Sequence, residues 1–316
     1  MDSSLSGGGK TSLTESRPLV VLTADVDARL PETIEGPPPW NVWDSLDGIP
    51  PLQRAMGGDL PPVTWMIRAD DSVRRATGTF VSGFTSRAGM WDALVKRGHE
   101  LGWHFHHLSY PHGRQRFDPE PRWLADAHAA LSALFPIGAT RTGWDYANAA
   151  TFRALDALQI AVDLSALPGQ VVWRKIGGDR FVVDWRRCRE SPYRPSAQDH
   201  QRPGPDALSI VEVPTASFAR GVVSAARQAV WRGLHGVSPL GRANRQTRML
   251  TQPWPSPPSV HGGIVALFFH PEDLGDEGIR HFVDNVAKLR RWFDPEFVTA
   301  AGALGRLANA GALSVR

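Results

Sequence analysis

Short apolar runs alternate along the chain with longer stretches in which apolar side chains recur every three or four positions. The runs at 18–23, 63–67, 100–105, 139–142, 160–164, 181–185, 208–213 and 263–269 end in polar or Gly/Pro turns, which predicts buried strands. Helices are expected at 88–96, 121–134, 149–158, 216–232 and 277–292; in 121–134 Leu124, Ala127, Leu131 and Leu134 share one face. A last strand at 296–300 precedes a final helix. Repeated β–α units predict an α/β fold with a parallel sheet, open or closed into a barrel.

Three segments break the pattern. The stretch 30–62 carries Pro31, Pro37, Pro38, Pro39, Pro50, Pro51, Pro61 and Pro62 and reads as a long loop; 186–207 and 242–262 are similar. Long loops on α/β scaffolds usually shape the site. Residues 1–16 are polar and Gly/Ser-rich, so we expect a disordered tail ahead of a single catalytic domain over 17–316. Gly7-Gly8-Gly9-Lys10-Thr11 looks like a phosphate-binding loop. However, Ser4 stands where that loop needs glycine, and no strand precedes it.

Composition narrows the function classes. No apolar run is long enough to cross a bilayer, and no basic-then-apolar leader opens the chain, so a cytoplasmic protein is expected. Cys188 is the single cysteine, which rules out an internal disulfide and fits a reducing compartment. It is a weak candidate nucleophile between Arg187 and Arg189. The net charge is only +3, but arginines thicken between Arg220 and Arg248 (Arg227, Arg232, Arg242 and Arg245 among them). That stretch reads as a solvated helix and loop, or as a contact for phosphate or an acidic surface. Nothing shows the pattern of a nucleic-acid reader.

Three polar clusters fall at the C-terminal ends of predicted strands, where the loops of a parallel fold converge on one face. In Thr23-Ala24-Asp25-Val26-Asp27, alternation points Asp25 and Asp27 to the same side. Two carboxylates that close repel, and a cation beside them relieves the repulsion, leaving one free to take a proton. A polar turn with one Asp capping a helix is the plainer reading of that cluster alone. In the second cluster, His104, His106 and His107 fall within four positions, which packing explains poorly. On a strand His104 and His106 face the same way and can share Zn²⁺ or a similar divalent ion, the competing reading being a chance surface tract. In the third, an apolar strand delivers His270 and then turns at Pro271. Imidazole titrates near neutrality and so suits a general acid, a capping or core histidine being the alternative. Asp70 and Asp71, after the second strand, are read as hydroxyl binders or as helix caps.

Taken in this order, these residues resemble the polysaccharide deacetylase (NodB-homology, carbohydrate esterase family 4) superfamily. Gly98–His104 matches its G-H-E-[IL]-G-x-H motif at every position, and Asp25 and Asp27 resemble its opening Asp pair in the D-x-D form. Arg141-Thr142-Gly143-Trp144 is similar to its Arg motif, and Phe269-His270-Pro271 to its final strand followed by His. The stretch from Thr151 to Ser165 is similar to its helix followed by a strand ending D-x-S. The resemblance covers about 19–300.

It implies a distorted (β/α) barrel, usually of seven strands, and one divalent metal, zinc in the first instance, held by an Asp and two His. Carried over, Asp27 and His104 are metal ligands and Asp25 is the base that deprotonates the attacking water. Arg141 orients Asp25, the Trp144 N–H faces the oxyanion, and His270 protonates the leaving amine. The usual second His lies four residues after the first, where this chain has Leu108. His106, His107 or His112 must replace it; strand geometry favours His106, with His107 next.

The implied activity is metal-dependent removal of an N-acyl group, acetyl foremost, from a sugar or glycoconjugate, a hydrolase step in carbohydrate metabolism. Pyranose faces stack on indole, and Trp40, Trp43, Trp65, Trp103, Trp144 and Trp185 stand near predicted loops or strand ends. Two or three of these are candidate sugar platforms, with His107 and Asp70 as further substrate contacts. Two other readings stay open: a related amidohydrolase acting on a small non-sugar amide, and an inactive relative that holds a glycan.

Overall fold

The computed structural model describes residues 17–31, 37–219, 245–311 and 313. The expected tail at 1–16, Gly7–Thr11 within it, and most of the basic segment (220–244) lie outside the described residues.

In chain order the strands are β1 (Leu19–Val26), β2 (Val63–Arg68), β3 (Glu100–Phe105), β4 (Leu108–Ser109), β5 (Arg116–Phe117), β6 (Ala139–Thr142) and β7 (Val162–Asp163). They continue with β8 (Val171–Ile176), β9 (Asp179–Asp184), β10 (Val211–Glu212), β11 (Phe218–Ala219), β12 (Arg245–Gln246), β13 (Ile264–Phe269) and β14 (Glu296–Val298). The helices are α1 (Ile49–Met56), α2 (Asp71–Thr77), α3 (Ser82–Thr85), α4 (Ala88–Val95), α5 (Leu124–Ser132), α6 (Ala149–Ala157), α7 (Asp276–Phe293) and α8 (Ala300–Asn309).

Seven parallel strands run in the order β10-β7-β6-β3-β2-β1-β13, and β14 pairs with the first half of β1. The sheet curls until Thr215, just past β10, meets Ala266 of β13 in one parallel bridge, with the Ala216 N–H donating to the Ala266 carbonyl at 2.8 Å. This is the expected distorted barrel, joined at its seam by little more than that bridge.

Strand alternation sorts the side chains into two sets. Leu19, Val21, Met66, Ala139, Val162, Val211, Ile264 and Ala266 form one buried cluster with Ala300, Ala303 and Leu307 of α8. Continuing the same parity along each strand leads from Val21 to Asp25 and Asp27, from Met66 to Arg68, from Gly102 to His104 and His106, from Ala139 to Arg141, and from Ala266 to His270. The barrel interior is therefore apolar at the N-terminal ends of its strands, where α8 plugs it, and polar at the C-terminal ends. The opposite parity (Val20, Leu22, Trp65, Ile67, Trp103, Phe105) packs outward against the helices.

Several expectations need correction. The proline-rich stretch is not all loop: Ile49–Met56 is helical, because Pro50 and Pro51 fall in the first turn, where no N–H is required. A helix does not begin at 216: Phe218–Ala219 pairs antiparallel with Arg245–Gln246, and the remainder of that expected helix is outside the described residues. The strand expected at 181–185 is real but leaves the barrel: β9 pairs antiparallel with β8, which the hydrophobic pattern did not reveal. The signal was present in Gly177-Gly178 (φ 53° and 95°), a two-residue turn of the left-handed type that suits a hairpin.

Candidate metal centre

The strongest sequence match, Gly98–His104, divides into supports and a ligand. The His99 Nδ1 accepts the Val63 N–H at 3.0 Å at the start of β2, and burial depresses its pKa to about 4. Glu100 accepts from Thr64 Oγ1 (2.9 Å) and from the Ala301 N–H (3.1 Å), fastening the start of α8 to the bottom of the barrel. Gly102 leaves room for Met66 inside the barrel. Only His104 of this motif reaches the polar mouth, where it lies in register between Arg68 and Arg141 on the neighbouring strands.

At that mouth three groups converge. His106 Nε2 lies 3.0 Å from Asp27 Oδ1 and 3.1 Å from His104 Nε2, and His104 Nε2 lies 3.6 Å from Asp27 Oδ1. Among the described residues, Asp27, His104 and His106 are the group whose donor atoms stand close enough together for one metal ion. The set fits a divalent cation chemically. His104 Nδ1 sits 2.8 Å from the Arg141 carbonyl; as its donor, it leaves the Nε2 lone pair facing the centre. Burial lowers the His104 pKa to about 4, which keeps it in the neutral, ligating form. Burial alone raises Asp27, but His106, His104 and Arg68 together outweigh it and hold this carboxylate well below its usual range. Two imidazole nitrogens and a carboxylate oxygen facing one point suit zinc.

The second histidine that faces this point is His106. The chain turns sharply after it, with the Leu108 N–H donating to the His106 carbonyl at 2.8 Å, and Leu108 is buried beside Tyr110 and Ala76. Neither alternative reaches the centre: His107 is fully buried and pairs through Nε2 with Thr151 Oγ1 (2.9 Å), and His112 is exposed in a turn (φ 55°).

The expected catalytic groups surround this point. Arg141 is almost fully buried, with Nε 3.0 Å from Asp25 Oδ2 and Nη2 3.0 Å from Asp145 Oδ1. It also lies over the Phe268 ring, 4.2 Å from the centroid. His270 Nε2 lies 3.9 Å from Asp25 Oδ2, and its Nδ1 lies 3.8 Å from Asp273 Oδ2. Gly143 is required for its close approach to His106, because an added Cβ would fall inside that ring. Trp144 and Asp145 follow it, both in the left-handed region (φ 53° and 57°), and the Trp144 indole meets His106 edge to face at 4.3 Å.

The D-x-S stretch stabilises this segment from behind. Asp163 accepts from Thr140 Oγ1 (2.7 Å), and Ser165 Oγ accepts the Thr142 N–H (2.8 Å).

A cavity of about 450 Å³ opens over the centre, lined by Asp25, Asp27, His104, His106, Trp144 and His270 together with Asp145, Arg174, Arg248 and Glu272. Of the expected substrate contacts, Trp144 lines it, whereas His107 and Asp70 do not. Asp70 is fully buried: it caps α2 through the Val73 N–H (3.1 Å), accepts from Arg68 Nε (2.8 Å) and takes the His106 N–H (3.1 Å). It supports His106 and has no free face for substrate. Trp43, Trp65, Trp103 and Trp185 are core residues and Trp40 is exposed outside the cavity lining, which leaves Trp144 as the candidate that lines the cavity. Sequence reading missed Arg68, which bridges Asp27 (3.3 Å) and Asp70, and also Asp145, Arg174 and Glu272. Glu272 was visible in the motif after His270; burial, then the charge on Asp27, raises its pKa.

No family model matches the chain, and no curated protein matches it significantly. Its structure is similar to the crystal structure of a Mycobacterium smegmatis protein that carries a provisional polysaccharide deacetylase designation. The two share a TM-score of 0.54 and 15% identity over 96% of this chain and 94% of the other. The chain shares the fold of that protein, a distorted NodB-like α/β barrel. At that identity the likeness establishes the architecture, and the chemistry must be argued from the side chains. Among the described residues no helix is long and apolar enough to cross a membrane.

Proposed function

We propose that this chain is a metal-dependent hydrolase that removes an N-acyl group, acetyl in the first instance, from a sugar or glycoconjugate, with zinc as its ion. The observation that carries the reading is the convergence of Asp27, His104 and His106 at the mouth of a NodB-like barrel, with Asp25 and His270 beside them.

Asp27, His104 and His106 would hold a divalent ion, which would supply Lewis acidity for the acyl oxygen and the attacking water. Asp25, held by Arg141, takes a proton from that water. The Trp144 N–H, in the left-handed turn after Gly143, donates to the oxyanion. His270 hands a proton to the departing nitrogen, so a carboxylate and a free amine leave. The Trp144 indole offers an apolar face to the sugar ring, and a lone, buried, disulfide-free Cys188 agrees with a cytoplasmic step.

Elemental analysis and acetate release test the reading together. The purified chain should hold one zinc-type ion and release acetate from N-acetylated sugars, and Asp27→Ala should lose both. Release of ammonia from cyclic amides, with no acetate from any acylated sugar, would move the chain to the small-amide hydrolases.

A further inference from the structure

We propose that the cleft takes an acylated amino sugar carrying an anionic group, a phosphate or a carboxylate, and that Arg174 and Arg248 bind that group. The inference rests on the deacetylase reading above and names its substrate class. Most acids at the deep end of the cavity are already compensated. Asp25 and Asp145 share Arg141 at 3.0 Å each, and Asp27 faces Arg68 at 3.3 Å.

Arg174 differs. It lines the cavity, is exposed, and makes no ion pair or hydrogen bond among the described residues; Asp145, the acid that feels its charge, is already held by Arg141 at 3.0 Å. The β8–β9 hairpin aims it: Val172 and Arg174 line the cavity while Trp173 between them is exposed on the other face. Arg248, at the end of the basic segment noted in the sequence, lines the same cavity and is anchored by donating from Nη1 to the Pro253 carbonyl (3.2 Å). Gln170 Nε2 donates to Thr247 Oγ1 at 3.3 Å, tying the segment that carries Arg174 to the one that carries Arg248. Both arginines thus line one cavity, and a planar guanidinium group matches the oxygens of phosphate or carboxylate. A neutral pyranose offers an exposed guanidinium group no charge to meet, whereas an anionic one is drawn in by it.

Calorimetric titration of the full chain, kept metal-free with chelator so that neither hydrolysis nor phosphate–metal contact contributes, tests this directly. The probes are N-acetylglucosamine, N-acetylglucosamine 1-phosphate and N-acetylmuramate. We expect at least one anionic sugar to bind about tenfold tighter than the neutral one, the tighter of the two identifying the group. Arg174→Gln should shrink that preference to within about threefold. Arg180→Gln makes the same charge change on the same hairpin away from the cavity and should keep it. Equal affinity for all three sugars overturns the inference and leaves the deacetylase reading standing, as does a preference that survives Arg174→Gln combined with Arg248→Gln. Binding of none of the three removes the carbohydrate reading itself and this inference with it.

Discussion

At the residue scale the site is defined by how few groups touch the reacting centre and how many hold those groups in place. Asp25 is nearly buried, against Arg141 and within 3.9 Å of His270. In the mechanism above it alone takes the first proton. Asp25→Asn should therefore lower kcat by about 10²–10⁴-fold while metal content, read by elemental analysis, stays that of the parent. Retained turnover would mean another group is the base. Gly143→Ala tests the opposite kind of residue, one without chemistry of its own. Its Cβ would occupy the space of the His106 ring, so the variant should fold, by circular dichroism, yet bind metal at least about tenfold more weakly. The reactive residue types were legible in the sequence because Asp25, Asp27, His104 and His270 sit in short local patterns. Arg68 and Asp145 were not, since their importance comes from what they face across the barrel mouth.

At the element scale the barrel strands bring the ligands into one row, and the excursions from the barrel build the cavity wall. The β8–β9 hairpin leans on β5 and the residue before it: Arg116 pairs with Asp179 at 2.6 Å, and an added Cβ at Gly177 would run into the Gln115 carbonyl. Gly177 also has φ 53°, which strains a side chain whatever the space. Gly177→Val should therefore displace the hairpin without disturbing the seven-stranded sheet. We expect a rise in KM with kcat within about twofold, because the wall that binds substrate moves and the proton-transfer groups do not. A fall in kcat at unchanged KM would place the hairpin in the chemistry instead. The apolar strands and amphipathic helices were readable from their periodicity. The hairpin was not, because β8 presents exposed residues on one side and cavity residues on the other, so neither face is apolar enough to stand out.

At the scale of the whole molecule, histidines kept neutral by burial couple stability to pH. His99 and His200 both have pKa values depressed by burial to about 4, with His200 packed against Phe152 and Trp185. The unfolded chain protonates them near 6.5, so between about 6.5 and 4 it binds more protons than the folded chain. Their contribution is present in full above 6.5 and is lost as the pH falls towards 4. Urea unfolding of chelator-treated protein should show that these two histidines make stability lower at pH 5 than at pH 7 by on the order of 2–4 kcal/mol, read as the part of the pH dependence that His99→Gln and His200→Gln together remove. An unchanged pH dependence in that double variant would show that these histidines are not neutral in the fold.

The sequence by itself determined the strand–helix alternation, the polar ends of the strands and the residue types available there, because hydrophobic period and local spacing are properties of neighbours along the chain. Only the tertiary structure decided that His106 and not His107 faces Asp27, that Asp70 works beneath the ligands, and that Arg174 enters the cavity. Those outcomes depend on which strands lie side by side and where each chain segment turns, and a parallel barrel sets both through contacts between residues far apart in sequence.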